Sequence, residues 1–277
     1  MGLLYTCPVC KKDLQKEDKS LKCLEGHCFD LSKKGYVNLL LSQHRNSSDP
    51  GDSKEMVLAR RRFLETGGYH RLAEALGAFG AMAGSERNGT LSILDAGCGE
   101  GYYTLSMLRA LSEGGIASEL YGMDISKEAV HLASGRSKAV HWSIGSLFRL
   151  PFSNQSIDLI TNIFAPASDS EFKRVLKKDG LLLTVIPGKD HLDGLKAVLY
   201  DKPYENDEAA PQLPSFSETQ RIRVTDRIEL TGREALSDLL VMTPYFWRTP
   251  REGIERLNRL PSLQVSLDFL IVVYRPL

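Results

Sequence analysis

Four of the chain's five cysteines fall within its first thirty residues, spaced Cys7-x2-Cys10, twelve residues, then Cys23-x3-His27-Cys28. Two short chelating pairs on turn tips can present soft ligands tetrahedrally, which is the chemistry of a bound Zn²⁺. Pro8 suits a tight first knuckle, and Gly26 frees the backbone of the second. A redox Cys-x-x-Cys pair opens a helix behind a strand, and no strand pattern precedes Cys7. Disulfides are not expected where no basic stretch and apolar run mark a secretion signal. Cys7, Cys10 and Cys23 are the expected ligands. The fourth is His27 or Cys28, because adjacent side chains rarely serve one ion. A closed four-ligand set leaves no open position for a reactant, so the metal is read as structural. A segment this small cannot bury enough apolar surface to fold alone, and metal binding would supply the missing free energy.

The fifth cysteine, Cys98, lies in LDAGCGEGYYT and is read as a small packing residue. Here Asp95 precedes Gly97-x-Gly99-x-Gly101 between a strand pattern and a helix pattern. Such a turn lets a ligand approach the backbone and meet a helix N-terminus. The dinucleotide fingerprint is G-x-G-x-x-G, and the last interval here is wrong for it. An acidic residue ahead of the glycines suits a cationic ligand better than a pyrophosphate. The pattern resembles the first motif of S-adenosylmethionine-dependent methyltransferases of Rossmann-like fold. A second strand, ELYGMDIS, ends at Asp124, whose carboxylate could accept both ribose hydroxyls. In many such enzymes an acidic residue before an LPF stretch contacts the adenine amine. IGSLFRLPF offers Ser146 instead.

These groups need a scaffold. The 277 residues fit one domain of roughly 180–200 residues plus a small module. With 35 basic and 35 acidic side chains the net charge is zero, which disfavours a general nucleic-acid coat protein. Residues 1–71 nevertheless carry thirteen Lys/Arg against nine Asp/Glu. No apolar run is long enough to span a bilayer, so no membrane partner is expected. NSSDPGDS reads as a linker or ordered loop, followed by two helices broken at Gly67-Gly68. Strands are expected at Leu91–Asp95, ELYGMDIS, KAVHWSIGS and SIDLITNIFAP. EFKRVLKKDGLLLTVIPG reads as a helix, a tight Asp-Gly turn and a fifth strand. QRIRVTDRIEL and LQVSLDFLIVVYRP complete an α/β doubly wound sheet with an antiparallel edge hairpin. The expected division is a zinc-ribbon-like module (1–45), a linker with helices (46–85) and a methyltransferase domain (86–277).

KKGYVNLL, DPGDS, ARRRFL, LDAGCGEGYYT, LPFS, VIPG and MTP-x-x-W together resemble the bacterial 23S rRNA guanine-N1 methyltransferases, which include the tylosin-resistance type. The resemblance runs from Cys7 to about Trp247 and thins from Pro203 to Thr219. It implies methyl transfer to N1 of a guanine in a 23S rRNA hairpin loop, in the cytoplasm. It assigns the zinc to Cys7, Cys10, Cys23 and His27, leaving Cys28 an extra. It assigns S-adenosylmethionine contacts to Tyr69, the Gly99-Glu100 pair and His191, beside Asp95, Gly97, Gly101 and Asp124. N1 lies on the Watson–Crick edge, so the base must be unpaired or flipped. Lys33, Lys34, Arg60, Arg61 and Arg62 are candidate phosphate contacts. N1 must also lose a proton, and Asp49 and Asp52 are candidate acceptors if the linker folds over the cofactor site. A homodimer is a candidate assembly that no residue pattern fixes.

Overall fold

The structure, a computed structural model, describes residues 2–44, 50–87 and 89–277. Near the amino terminus β1 (Gln15–Glu17), β2 (Ser20–Lys22) and β3 (Cys28–Asp30) form an antiparallel sheet in that order. Asp18, with φ +48°, turns β1 into β2. β4 (Val37–Asn38) follows, and after the linker come α1 (Lys54–Glu65) and α2 (His70–Ser85). Ser53 caps α1, its hydroxyl accepting the Met56 N–H at 3.3 Å. The chain breaks between the helices at Gly67, where φ is +83°.

The main body alternates β5 (Leu91–Ala96), α3 (Tyr102–Glu113), β6 (Ser118–Asp124), α4 (Lys127–Arg136), β7 (Val140–Ile144), β8 (Ile157–Ile163), α5 (Asp169–Val175) and β9 (Leu176–Pro187). Then follow α6 (Asp193–Leu199), β10 (Phe216–Thr231), α7 (Arg233–Val241), α8 (Arg251–Asn258) and β11 (Ser262–Pro276). The sheet order is β10-β11-β9-β8-β5-β6-β7-β4. Strands β4 to β9 pair in parallel, whereas β11 runs antiparallel to both β9 and β10. Every residue of β5 and β8 is buried, as parallel strands covered on both faces require. β10 is the outer strand, and its exposed face carries Arg221, Arg223, Arg227 and Glu229, charges that discourage pairing with another chain. The strand order reverses at β5, from which β6 and β7 extend one way and β8 and β9 the other. In open α/β sheets the crevice beyond the strand ends at such a switch point is where ligands bind.

One expectation changes. The helix expected through Lys178 stops at Val175, and the Asp179-Gly180 turn is absorbed into β9 as an irregularity. β9 pairs through Ile157↔Leu176, then resumes at Leu159↔Leu181. The amino-terminal module packs on the main sheet. β4 pairs with β7 through Val37↔Ser143 and Asn38↔Ile144, closing one edge of the main sheet. The Tyr5 hydroxyl donates to the His141 carbonyl at 3.0 Å, and its ring packs edge-on against Tyr121, centroids 5.3 Å apart. Tyr5, Cys7, Leu14, Leu21 and Cys23 share one apolar cluster with Leu94, Tyr121, Met123 and Phe152.

Candidate functional site

The first knuckle closes through hydrogen bonds from Cys7 N–H to the Lys12 carbonyl (2.7 Å) and from Lys11 N–H to the Cys7 carbonyl (2.8 Å). Lys11 takes φ +64° there, a turn position that the sequence reading did not single out. The second closes through Gly26 N–H to the Cys23 carbonyl at 2.9 Å, with Gly26 at φ +84°. Together they bring one ligand atom each from Cys7, Cys10, Cys23 and His27 within 4.8 Å of one another. The Cys10 and Cys23 sulfurs are 3.6 Å apart, and Cys23 Sγ lies 3.3 Å from His27 Nδ1. Four ligands at zinc bond lengths of about 2.0–2.3 Å in a tetrahedron stand about 3.5–3.8 Å from each other. The set fits a zinc ion. Cys28 is exposed on β3 and lies outside the group.

The glycine loop joins β5 to α3 with Gly97, Gly99 and Gly101 at φ +88°, +54° and +88°. A methyl on Gly97 would stand 2.6 Å from Ala165 Cβ, and one on Gly101 2.7 Å from the Trp142 ring. One on Gly99 would meet nothing within 4 Å. The loop is thus packed on two sides and open on the third. Asp124 borders that opening. Its Oδ2 accepts the Gly99 N–H at 2.9 Å and its Oδ1 the Ser126 N–H at 2.8 Å. Burial raises the Asp124 pKa, opposed by those two backbone donors. Asp95 is buried, its oxygens accepting the Thr104 and Thr161 hydroxyls, and burial pushes its pKa up to about 6.

Tyr69 and His191, 122 residues apart, meet with Tyr69 Oη 3.2 Å from His191 Nε2. The Asp268 backbone N–H donates to His191 Nδ1 at 3.3 Å. Burial lowers the His191 pKa to about 3, so the ring is neutral near pH 7. With Nδ1 accepting, the ring proton sits on Nε2 and is donated to Tyr69 Oη. The tyrosine keeps its own proton for another acceptor. An open glycine cradle, a carboxylate at the next strand's end and a hydroxyl with a free proton fit S-adenosylmethionine.

A family model for a methyltransferase domain matches residues 93–180, and one described as the amino-terminal zinc ribbon of RlmA matches residues 5–48. A Streptomyces fradiae protein named 23S rRNA (guanine(748)-N(1))-methyltransferase is 32% identical over 280 residues, which span 98% of this chain and 96% of that protein. A Bacillus subtilis protein provisionally named for 23S rRNA (guanine-N1) methylation is 32% identical over 277 residues, with the same two coverages. The chain belongs to the 23S rRNA (guanine-N1)-methyltransferase family. A solved structure from Anaeromyxobacter dehalogenans, provisionally titled a type II methyltransferase, matches 73% of the chain and 95% of its own. At a TM-score of 0.51 and 18% identity that likeness is one of fold.

Most of the remaining candidate residues of this guanine-N1 methyltransferase have partners in the folded chain. Arg62 is held by the buried Asp238 of α7 (2.8 and 2.5 Å), Arg61 by Glu65 (2.9 Å). Arg60 pairs with Asp52 at 2.5 Å, and its charge reaches Asp124 and Tyr69. Arg60 ties α1 to the linker and to the Met242 carbonyl, Arg62 ties it to α7, and Arg61 pairs within the helix. The described end of the linker lies beside the turn that follows Asp124. Gly51 packs on Ser126 and the Asp52 carbonyl lies 3.4 Å from the Ser126 hydroxyl. The Asp52 carboxylate is ion-paired with Arg60. Asp49 lies outside the described residues. Glu100 is buried and paired with Arg136 of α4, so its side chain locks the loop and only its backbone is left for a cofactor. Ser146 accepts the Phe148 N–H at 3.3 Å, capping its own turn. Lys33 is exposed and Lys34 half-buried in the turn before β4.

Proposed function

We propose that this protein transfers a methyl group from S-adenosylmethionine to N1 of a guanine in a hairpin loop of 23S rRNA, in the cytoplasm. The observation that carries the reading is the cradle at Gly99, bordered by Asp124, in a chain that also carries a Cys3His cluster and matches the family end to end. No described helix is long and apolar enough to cross a membrane, which accords with a substrate in ribosomal RNA.

S-adenosylmethionine supplies the electrophilic methyl. The chain's own residues then have to bind, orient and shield. The Asp124 carboxylate, with a free lone pair on each oxygen, accepts the ribose hydroxyls. Loop 97–101 and the N-terminus of α3 bound the methionine end, where the field of the buried Asp95 favours a cationic group. Tyr69 donates to the cofactor from the opposite wall, its orientation set by His191. Methyl transfer from a sulfonium is mainly a matter of alignment. The residues 1–45 form the RNA-recognition module, with Lys33 and Lys34 on the phosphates. Residues 46–85 supply the linker and helices, and 86–277 form the methyltransferase domain. Cys7, Cys10, Cys23 and His27 hold the zinc.

A methyl on N1 replaces the proton that guanine donates to cytosine. Reverse transcriptase should therefore stop one nucleotide before the modified guanine in 23S rRNA from wild-type cells. The stop should vanish on deletion and return with the wild-type gene but not with Asp124→Ala. A stop that persists in the deletion strain, or a methyl mapped to N2 or N7, sinks the reading.

A further inference from the structure

Among the described residues, Phe164 alone combines a left-handed backbone with an exposed large apolar side chain: its φ is +52° and it is 45% exposed. A bulky residue in that region is an outlier that glycine or asparagine would occupy with less strain. Such strain persists where surrounding contacts over-determine it, and it concentrates at ligand sites. The contacts are present. Phe164 N–H donates to the Val185 carbonyl at 3.2 Å, and the Asn162 amide donates to the Ala96 (2.9 Å) and Pro166 (3.3 Å) carbonyls. Ala165 abuts Gly97 of the glycine loop. The turn that ends β8 is therefore pinned to the end of β5, at the switch point of the sheet.

The ring lies beside His191, one residue before the Ala165 that abuts the glycine loop. It lies near-parallel to the His191 ring, at 22° with centroids 6.5 Å apart, and 5.8 Å from the Phe269 ring. We propose that Phe164 is the stacking platform for the target base, receiving an unpaired purine face-on so that its Watson–Crick edge turns toward the methyl donor. The chemistry fits the position. A base taken out of its stack loses contact on both faces, and an aromatic side chain restores one of them. The strained backbone sets the ring at the crevice mouth, and the three anchors hold it there before any base arrives.

This rests on the guanine-N1 reading, and the two can fail separately. The reverse-transcriptase stop decides the reaction with unaltered enzyme. The stacking role is decided with a hairpin carrying 2-aminopurine in place of the guanine at which that stop occurs. Phe164→Gly keeps the backbone conformation and removes only the ring. Its melting temperature and S-adenosylmethionine affinity should match the wild type. Hairpin methylation should fall roughly 5- to 150-fold, the equivalent of one base–aromatic stack of ~1–3 kcal/mol. Quenching of 2-aminopurine on binding should disappear, and Phe164→Trp should restore it. Undiminished quenching and methylation in Phe164→Gly overturn the proposal. So does a fall in melting temperature typical of losing a core aromatic, which would make the ring a packing residue.

Discussion

Replacing Gly99 by alanine adds one methyl group to a residue at φ +54° whose Cβ direction is empty for 4 Å. The same change at Gly101, φ +88°, sets the methyl 2.7 Å from the Trp142 ring and 3.2 Å from Ala133 Cβ. A left-handed backbone costs an L-residue roughly 1–2 kcal/mol, a term common to both variants. Overpacking adds about 1–3 kcal/mol at Gly101 alone, where the buried Trp142 has no room to swing aside. The expected losses are about 1–2 kcal/mol for Gly99→Ala and about 2–5 kcal/mol for Gly101→Ala. Each kcal/mol lowers Tm by roughly 2–4 °C in a chain of this size, so thermal melts resolve the two. Calorimetric titration with S-adenosylmethionine should reverse their order. The Gly99 methyl stands where the cofactor is assigned, and affinity should drop at least about tenfold, or about 1.4 kcal/mol. Gly101→Ala, measured below its melting range, should bind within a few-fold of wild type. If Gly99→Ala binds normally while Gly101→Ala melts normally and loses the cofactor, the ligand lies on the other side of the loop.

Three further outcomes are expected. His27→Ala should release zinc measured by metal analysis, whereas Cys28→Ser should retain it, because only His27 joins the three cysteines. Arg60→Ala should weaken S-adenosylmethionine binding in calorimetry, because its charge faces Asp124; Arg61→Ala, whose ion pair is with Glu65 of its own helix, should weaken it less. Asp95 has a folded pKa of about 6 against an ordinary 3.8, so its contribution to stability is complete below about pH 4 and is lost as pH rises through about 6. That difference corresponds to about 3 kcal/mol at most. Denaturant melts of the cofactor-free protein should show the decline between pH 4 and 7, and Asp95→Asn should flatten it.

Much of the scaffold was legible because it is local. The apolar runs of β5 and β6 lead into Asp95 and Asp124, each with a visible task, and positive φ at Gly97, Gly99 and Gly101 is what their spacing implies. The β10–β11 hairpin announced itself as an alternating strand followed by a continuous apolar one. Other features are set by distant partners. Two residues, Val37 and Asn38, make β4, and nothing in that dipeptide says that it will lie beside Ser143 and Ile144. Family resemblance assigned both Tyr69 and His191 to the cofactor but not to each other, since no periodicity links positions so far apart. The arginine run read as a phosphate grip because basic side chains cluster there; Asp238, Glu65 and Asp52 become their partners only after folding. The helices α6, α7 and α8 escaped because they are short, and their apolar faces follow no long repeat. Phe164 was visible only as one more apolar residue at a strand end. Its significance lies in a backbone angle.

The shared apolar cluster bears on how the two halves of the molecule act together. Buried Cys7 and Cys23 pack in the same core as Leu94 and Ala96 of β5 and Met123 of β6, the strands whose ends carry the glycine loop and Asp124. β4 adds main-chain bonds to the same edge, and Leu39 N–H donates to the Ile144 carbonyl at 2.9 Å. Close-packed interiors transmit displacement because they have little free volume to absorb it. The zinc thus fixes more than a surface knuckle: by ordering residues 5–30 it completes one wall of the sheet on which the cofactor crevice is built. A module joined only by a flexible tether would leave its angle to the crevice undefined, and alignment is what the methyl transfer depends on. Here Tyr5, Tyr121 and Phe152 interlock at centroid separations of 5.2–5.4 Å, which fixes that angle in the folded chain.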